Sequence, residues 1–120
     1  MAVMTKQGPF VFTAPSINAH VTENSAGSFI LGCLDENNKF IPSFVGRAAS
    51  DLRTELLFQL RLGKQCHNFI FCYASSPHQA FEQQCVDFHE CGGESLDNPR
   101  HPTRPSHTKW QCPVCGFAHA

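Results

Sequence analysis

Tyrosine is nearly absent from this chain: one Tyr stands beside eleven Phe and one Trp in 120 residues. Such a chain has aromatic bulk for a core but almost no phenolic hydroxyl to relay a proton or orient water. An excess of charge of either sign is also missing. Nine Lys and Arg against ten Asp and Glu leave a formal net charge of −1, so whole-chain electrostatics do not mark a nucleic-acid binder. No apolar run approaches the roughly 20 residues that a transmembrane helix needs, so no membrane partner is expected. The opening Met1-Ala2-Val3-Met4-Thr5-Lys6 has no long apolar stretch of the signal-peptide kind. That absence implies an intracellular, cytoplasmic chain, where disulfides are rare and clustered cysteines more often hold a metal.

Cysteine and histidine, by contrast, are abundant, at seven each. Trp110-Gln111-Cys112-Pro113-Val114-Cys115-Gly116 reads as a zinc knuckle: two thiols two residues apart, with a Pro and a Gly that let the backbone turn around an ion. Cys85 and His89 are spaced i, i+4, which on a helix puts both on one face, Cβ atoms about 5–6 Å apart. Zn²⁺ takes four such ligands, at about 2.3 Å for sulfur and about 2.0 Å for nitrogen. The expected set is Cys85, His89, Cys112 and Cys115 around a structural Zn²⁺, tying the C-terminal tail to the body of the domain. Cys91, His101 and His107 compete for places in it. Cys33, Cys66 and Cys72 lie in apolar runs and read as packing residues.

Length fits one domain. Residues 1–8 read as weakly ordered, Pro9–Thr13 as a short strand and 14–27 as loop. Ser28–Leu34 and Phe40–Val45 read as a hairpin around the turn signal Asp35-Glu36-Asn37-Asn38-Lys39. Pro42 cannot donate to a ladder, so its strand needs an edge or a bulge there. Ser50 or Asp51 can cap a helix over about 51–62, with Leu52, Leu56, Leu57 and Leu60 on one face and Gly63 as its stop. Asn68–Tyr73 is apolar on both faces, as a central strand is. Ser76, Pro77 and Gln79 open a second helix that runs to about Glu90, with Gln79 closing a capping box. The chain is thus an α+β domain: a central three-stranded antiparallel sheet flanked by helices, with a zinc-tied C-terminal tail. Its divisions are an N-terminal extension (1–26), a core (27–92) and a tail (93–120).

Gly27-Ser28-Phe29, then Phe44-Val45-Gly46-Arg47-Ala48, then Asp51-Leu52 opening a helix, resemble the GIY-YIG nuclease superfamily. There a Gly-Ile-Tyr strand pairs with a Tyr-Ile-Gly strand and a helix follows. Ala80-Phe81-Glu82 resembles the position of the family's metal-binding Glu, and Leu96-Asp97-Asn98 its late Asn. The resemblance covers residues 27–116 and extends to a subgroup with an appended zinc site. It implies phosphodiester hydrolysis by one divalent ion, Mg²⁺ or Mn²⁺, held by Glu82, with Asn98 and Arg53 assisting. This sequence departs from the motifs. Both tyrosines are phenylalanines, Phe29 and Phe44. The family's helix Arg falls at Glu55, leaving Arg53 or Arg47 as substitutes, and its helix His falls at Gln59. The resemblance therefore implies a catalytically degenerate member that binds DNA, RNA or a protein partner, with Arg47, Arg53 and Arg61 as phosphate contacts. The alternatives are an endonuclease using Glu82 with a non-standard base (His78 or His89 is nearest in sequence) and a zinc-containing protein-interaction domain with no nucleic-acid role.

Overall fold

The computed structural model describes residues 5–93, 96 and 101–116. In chain order the elements are β1 (Gln7–Val11), α1 (Ala14–His20), β2 (Gly27–Leu34), β3 (Phe40–Ala48), α2 (Leu52–Arg61), β4 (Asn68–Tyr73) and α3 (Pro77–Glu90). The strands form one antiparallel sheet in the order β1-β4-β2-β3. The sheet therefore has four strands, not the expected three. Gln7–Val11 pairs with β4, so part of the N-terminal extension belongs to the sheet. Its pattern is mostly exposed, as an edge strand's is, and carries little of the periodic burial that marks a strand in sequence.

The second departure is α1, read as loop. Thr13 caps it by accepting from the Ser16 amide at 3.3 Å, and a proline occupies its first turn. Ile17 and Val21 are fully buried. Seven residues are too short for a helical period to show, and helices of this length hold only through packing.

Alternation along the strands sends side chains to two faces. Phe29, Leu31, Phe69 and Phe71 face α1 and α2, meeting Ile17, Leu52 and Leu56 in the larger core. Ile30 and Val45 face the other way and meet Phe88 of α3 and Leu96. The β2–β3 turn is held by Asp35, whose Oδ1 accepts from the Asn37 and Lys39 amides at 2.8 and 2.9 Å. Pro42 is accommodated as expected: β3 is an edge strand, and the pairing slips one residue between Leu31 and Gly32 beside it. Ser76 caps α3 by accepting from the Gln79 amide at 3.1 Å. Gln79 reaches back to the amide of Ser75, at 2.6 Å, rather than to Ser76. The capping box is thus displaced by one residue.

Gly46 leaves the space in which Phe29 lies across β3: a Cβ there would collide with the Phe29 ring. Phe29 is 1% exposed, so its ring has little room to swing away. Gly46→Ala is expected to destabilise the fold by about 1–3 kcal/mol, as overpacked cores do. Urea unfolding of the variant beside the parent checks this; an unchanged midpoint would mean the ring relaxes freely.

Candidate metal centre and the pocket at the sheet edge

His89, His101, Cys112 and Cys115 bring their ligand atoms within 4.8 Å of one another. The individual spacings are informative. His89 Nε2 and His101 Nε2 are 3.2 Å apart, Cys112 Sγ is 3.5 Å from His89 Nε2, and Cys115 Sγ is 3.5 Å from His101 Nε2. A tetrahedron with zinc-like bond lengths has edges of about 3.3 Å between two nitrogens and about 3.5 Å between sulfur and nitrogen. These three separations match the edges of such a tetrahedron, and the four ligand atoms could hold a metal ion.

Each ligand is presented by its own local structure. His89 lies in the last turn of α3. His101 places Nδ1 2.9 Å from the Pro102 carbonyl, so Nδ1–H donates there and Nε2 keeps its lone pair for a metal. Cys112 and Cys115 lie on a turn closed by the Gly116 amide donating to the Cys112 carbonyl at 2.8 Å, with Gly116 at φ +73°. The Val114 amide donates to Cys112 Sγ at 3.4 Å. Burial opposes ionisation of the Cys112 thiol, but the Cys115 and Val114 amides and the His101 ring outweigh it and lower the thiol to about 6. Cys112 is thus a ready thiolate ligand.

Three of the four expected ligands, His89, Cys112 and Cys115, are in the cluster; Cys85 is not, and His101 stands in its place. Cys85 is fully buried beside Cys112, in a small core with Phe81 and Trp110. Burial first, then the neighbouring Cys112, pushes its thiol well above the ordinary range. It packs beneath the cluster with its thiol against Cys112, and its i, i+4 spacing to His89 reflects their shared helix face. His101 was legible only as one of several competitors, because its position depends on how the tail returns to α3. Trp110 docks that tail, stacking on His78 with centroids 4.6 Å apart and planes 7° apart. Among the other competitors, Cys91 packs against the Phe88 core and His107 is exposed.

A second feature is an open depression of about 360 Å³ along the outer edge of β3. From the α2 side it is lined by Phe29, Phe44, Glu55 and Gln59, and from the α3 side by Arg47 and Gln84. Gln59 is 8% exposed; its Nε2 donates to Glu55 Oε2 at 2.9 Å, and its Oε1 has no hydrogen-bond partner. Arg47 donates to Gln84 Oε1 at 2.6 Å and to the Thr103 carbonyl at 2.7 Å, with its guanidinium over the Phe81 ring. Burial lowers the Arg47 pKa, with Cys85 acting in the opposite sense. Phe29 and Phe44 are stacked at 6.3 Å, and the Lys64 ammonium lies over Phe44, 4.1 Å from its centroid.

The remaining expected residues do not converge on this pocket. Glu82 is 43% exposed and lies 3.9 Å from His78 on the surface of α3; Gln84, two residues on, is the α3 residue that lines the depression. Arg53 and Arg61 are on α2, across the sheet from the side to which Arg47 is turned. Asn98 lies outside the described residues. Among the described residues, no helix is long and apolar enough to cross a membrane. No protein-family model, curated protein or solved structure matches this chain.

Proposed function

We propose that this chain is a zinc-stapled binding domain on a GIY-YIG-like scaffold that has lost hydrolytic chemistry. Phe29, Phe44, Glu55 and Gln59 carry the reading. These are the residues that stand where the resemblance expects two tyrosines, an arginine and a histidine, and all four line one pocket. Glu55 and Gln59 are neighbours on one face of α2, and the fold brings Phe29 of β2 and Phe44 of β3 to them. Phenylalanine preserves the volume of tyrosine and removes the hydroxyl that would orient water. Glu55 sets a negative charge where a phosphate would need a positive one. Gln59 offers no general base. The pairing of β2 with β3, Phe29 opposite Gly46, followed directly by α2, agrees with the scaffold.

The metal in this reading is Zn²⁺. Two thiolates and two imidazoles at tetrahedral spacing suit it. Four protein ligands leave no open position for a substrate, so the site is structural. Its role is to hold residues 101–116 against α3, where the Thr103 carbonyl receives Arg47, a residue that lines the pocket. The pocket is then a place to bind a partner rather than to cut one.

The zinc-loaded protein is expected to leave plasmid, single-stranded DNA and RNA intact with Mg²⁺ or Mn²⁺, at the level of a Glu82→Ala control. Cleavage that disappears in the control would overturn the loss of catalysis and move the search to a histidine base. Nucleic-acid binding is read from salt dependence, since each neutralised phosphate contributes a slope of about −0.9 to log affinity against log salt. Binding absent even at low salt leaves a protein or small-molecule partner.

A further inference from the structure

The pocket at the β3 edge has a hydrogen-bonding bias that bears on what it binds. On its α2 side the two polar side chains are Glu55 and Gln59. The orientation of the Gln59 amide is set by Glu55, because only Nε2 can donate to a carboxylate. That bond, at 2.9 Å, leaves Gln59 Oε1 as a buried acceptor with no partner. Buried acceptors are nearly always satisfied, and an orphan in a pocket wall calls for a donor that belongs there. Beside it, Glu55 is another acceptor and carries the charge. On the α3 side the Arg47 guanidinium is already engaged by Gln84, Thr103 and the Phe81 ring. A phosphate placed against Glu55 and Gln59 would meet two acceptors and like charge at Glu55; the Lys64 ammonium on that side lies over the Phe44 ring.

We infer that this pocket takes a guanidinium group, of the kind an arginine side chain carries. A planar fork of N–H donors can serve the Glu55 carboxylate and Gln59 Oε1 together. The inference rests on the proposal that the pocket binds rather than hydrolyses. Free guanidino compounds and arginines borne by a partner protein share this chemistry.

The test is a titration of the ¹⁵N-labelled, zinc-loaded chain with N-acetyl-L-arginine methylamide, a short peptide carrying one arginine, and inorganic phosphate. Saturable shifts of the Gln59 side-chain amide are expected with both arginine compounds and none with phosphate. A peptide that binds at least about tenfold tighter than the free derivative identifies a protein-borne arginine; equal affinity identifies a small molecule, and either supports the assignment. Glu55→Gln is expected to weaken binding about tenfold or more. Gln59→Met, which removes the orphan acceptor at nearly constant volume, is expected to weaken binding while raising Tm, a combination a purely structural glutamine does not produce. Phosphate shifting the Gln59 amide, or no saturable shift with either arginine compound, overturns the assignment. Nuclease activity lost in Glu82→Ala would instead overturn the binding reading beneath it, so the two failures are distinguishable.

Discussion

Cys112→Ser is expected to release the metal and to lower stability by about 3 kcal/mol or more at saturating zinc. Binding to the folded state alone stabilises by RT ln(1 + [L]/Kd), about 2.7 kcal/mol when free ion is a hundred times Kd. The loss should fall first on the tail. Residues 101–116 contain no regular secondary structure and are joined to α3 by the cluster and the Trp110–His78 stack. A serine hydroxyl cannot supply the thiolate that the Cys115 and Val114 amides stabilise at Cys112. Metal content and urea unfolding, with and without a chelator, read the effect. The ligand set itself is decided by a pair of variants: His101→Ala should lose the ion, and Cys85→Ser should keep it. The reverse outcome would return Cys85 to the set and remove His101.

The second large effect lies at the other side of α3. Asp87 is 1% exposed, and its Oδ1 sits 2.9 Å from Lys6 Nζ and 2.9 Å from Gln83 Nε2. Lys6 precedes β1, so this pair joins the N-terminal edge of the fold to α3. Burial raises the Asp87 carboxyl above its ordinary value, while Lys6 and Gln83 pull it down. Removing the lysine leaves the burial uncompensated. Breaking a fully buried pair costs about 3–5 kcal/mol. Lys6 keeps 40% of its side chain in water, so Lys6→Met is expected to cost about 2–3 kcal/mol at pH 7.

The pH dependence has a definite sign. With its folded pKa above the unfolded value, Asp87 holds its proton more tightly in the native state. Its contribution is fully present below the unfolded value and is lost as pH rises through the raised folded one. The variant's carboxyl is raised further. The difference between Lys6→Met and the parent should therefore be largest near neutrality and shrink as pH falls toward the ordinary carboxylate value of about 3.9. Unfolding both proteins side by side at each pH cancels the common loss of zinc in acid. A difference that stays constant with pH would mean the lysine acts through packing alone.

Much of this architecture is local and was legible. Ser76 and Pro77 start α3 because capping is a matter of neighbouring atoms, and Leu52 and Leu56 face the core because helical periodicity puts them there. Pro42 announced an edge or bulge because it lacks an N–H, and β3 is an edge strand. The Cys112–Cys115 knuckle was readable for the same reason: its turn, its Gly116 and its amide donors lie within a few residues.

What was not legible depends on contacts between distant segments. The short strand expected over Pro9–Thr13 is there, as Gln7–Val11, but its place in the sheet depends on the ladder that β4 offers. α1 is a helix only because Ile17 has a core to enter, and seven residues are too short to signal it. The sequence by itself determined the hairpin, the two longer helices, the thiol turn and the stock of ligand-type side chains, all through spacings of a few residues. Only the tertiary structure brought His101 into one cluster with His89, Cys112 and Cys115, and set Phe29 and Phe44 of the sheet beside Glu55 and Gln59 of α2 in one pocket. Coordination and recognition require atoms within a few ångströms of one another, and residues 12 or more apart reach that distance only when packing brings them there.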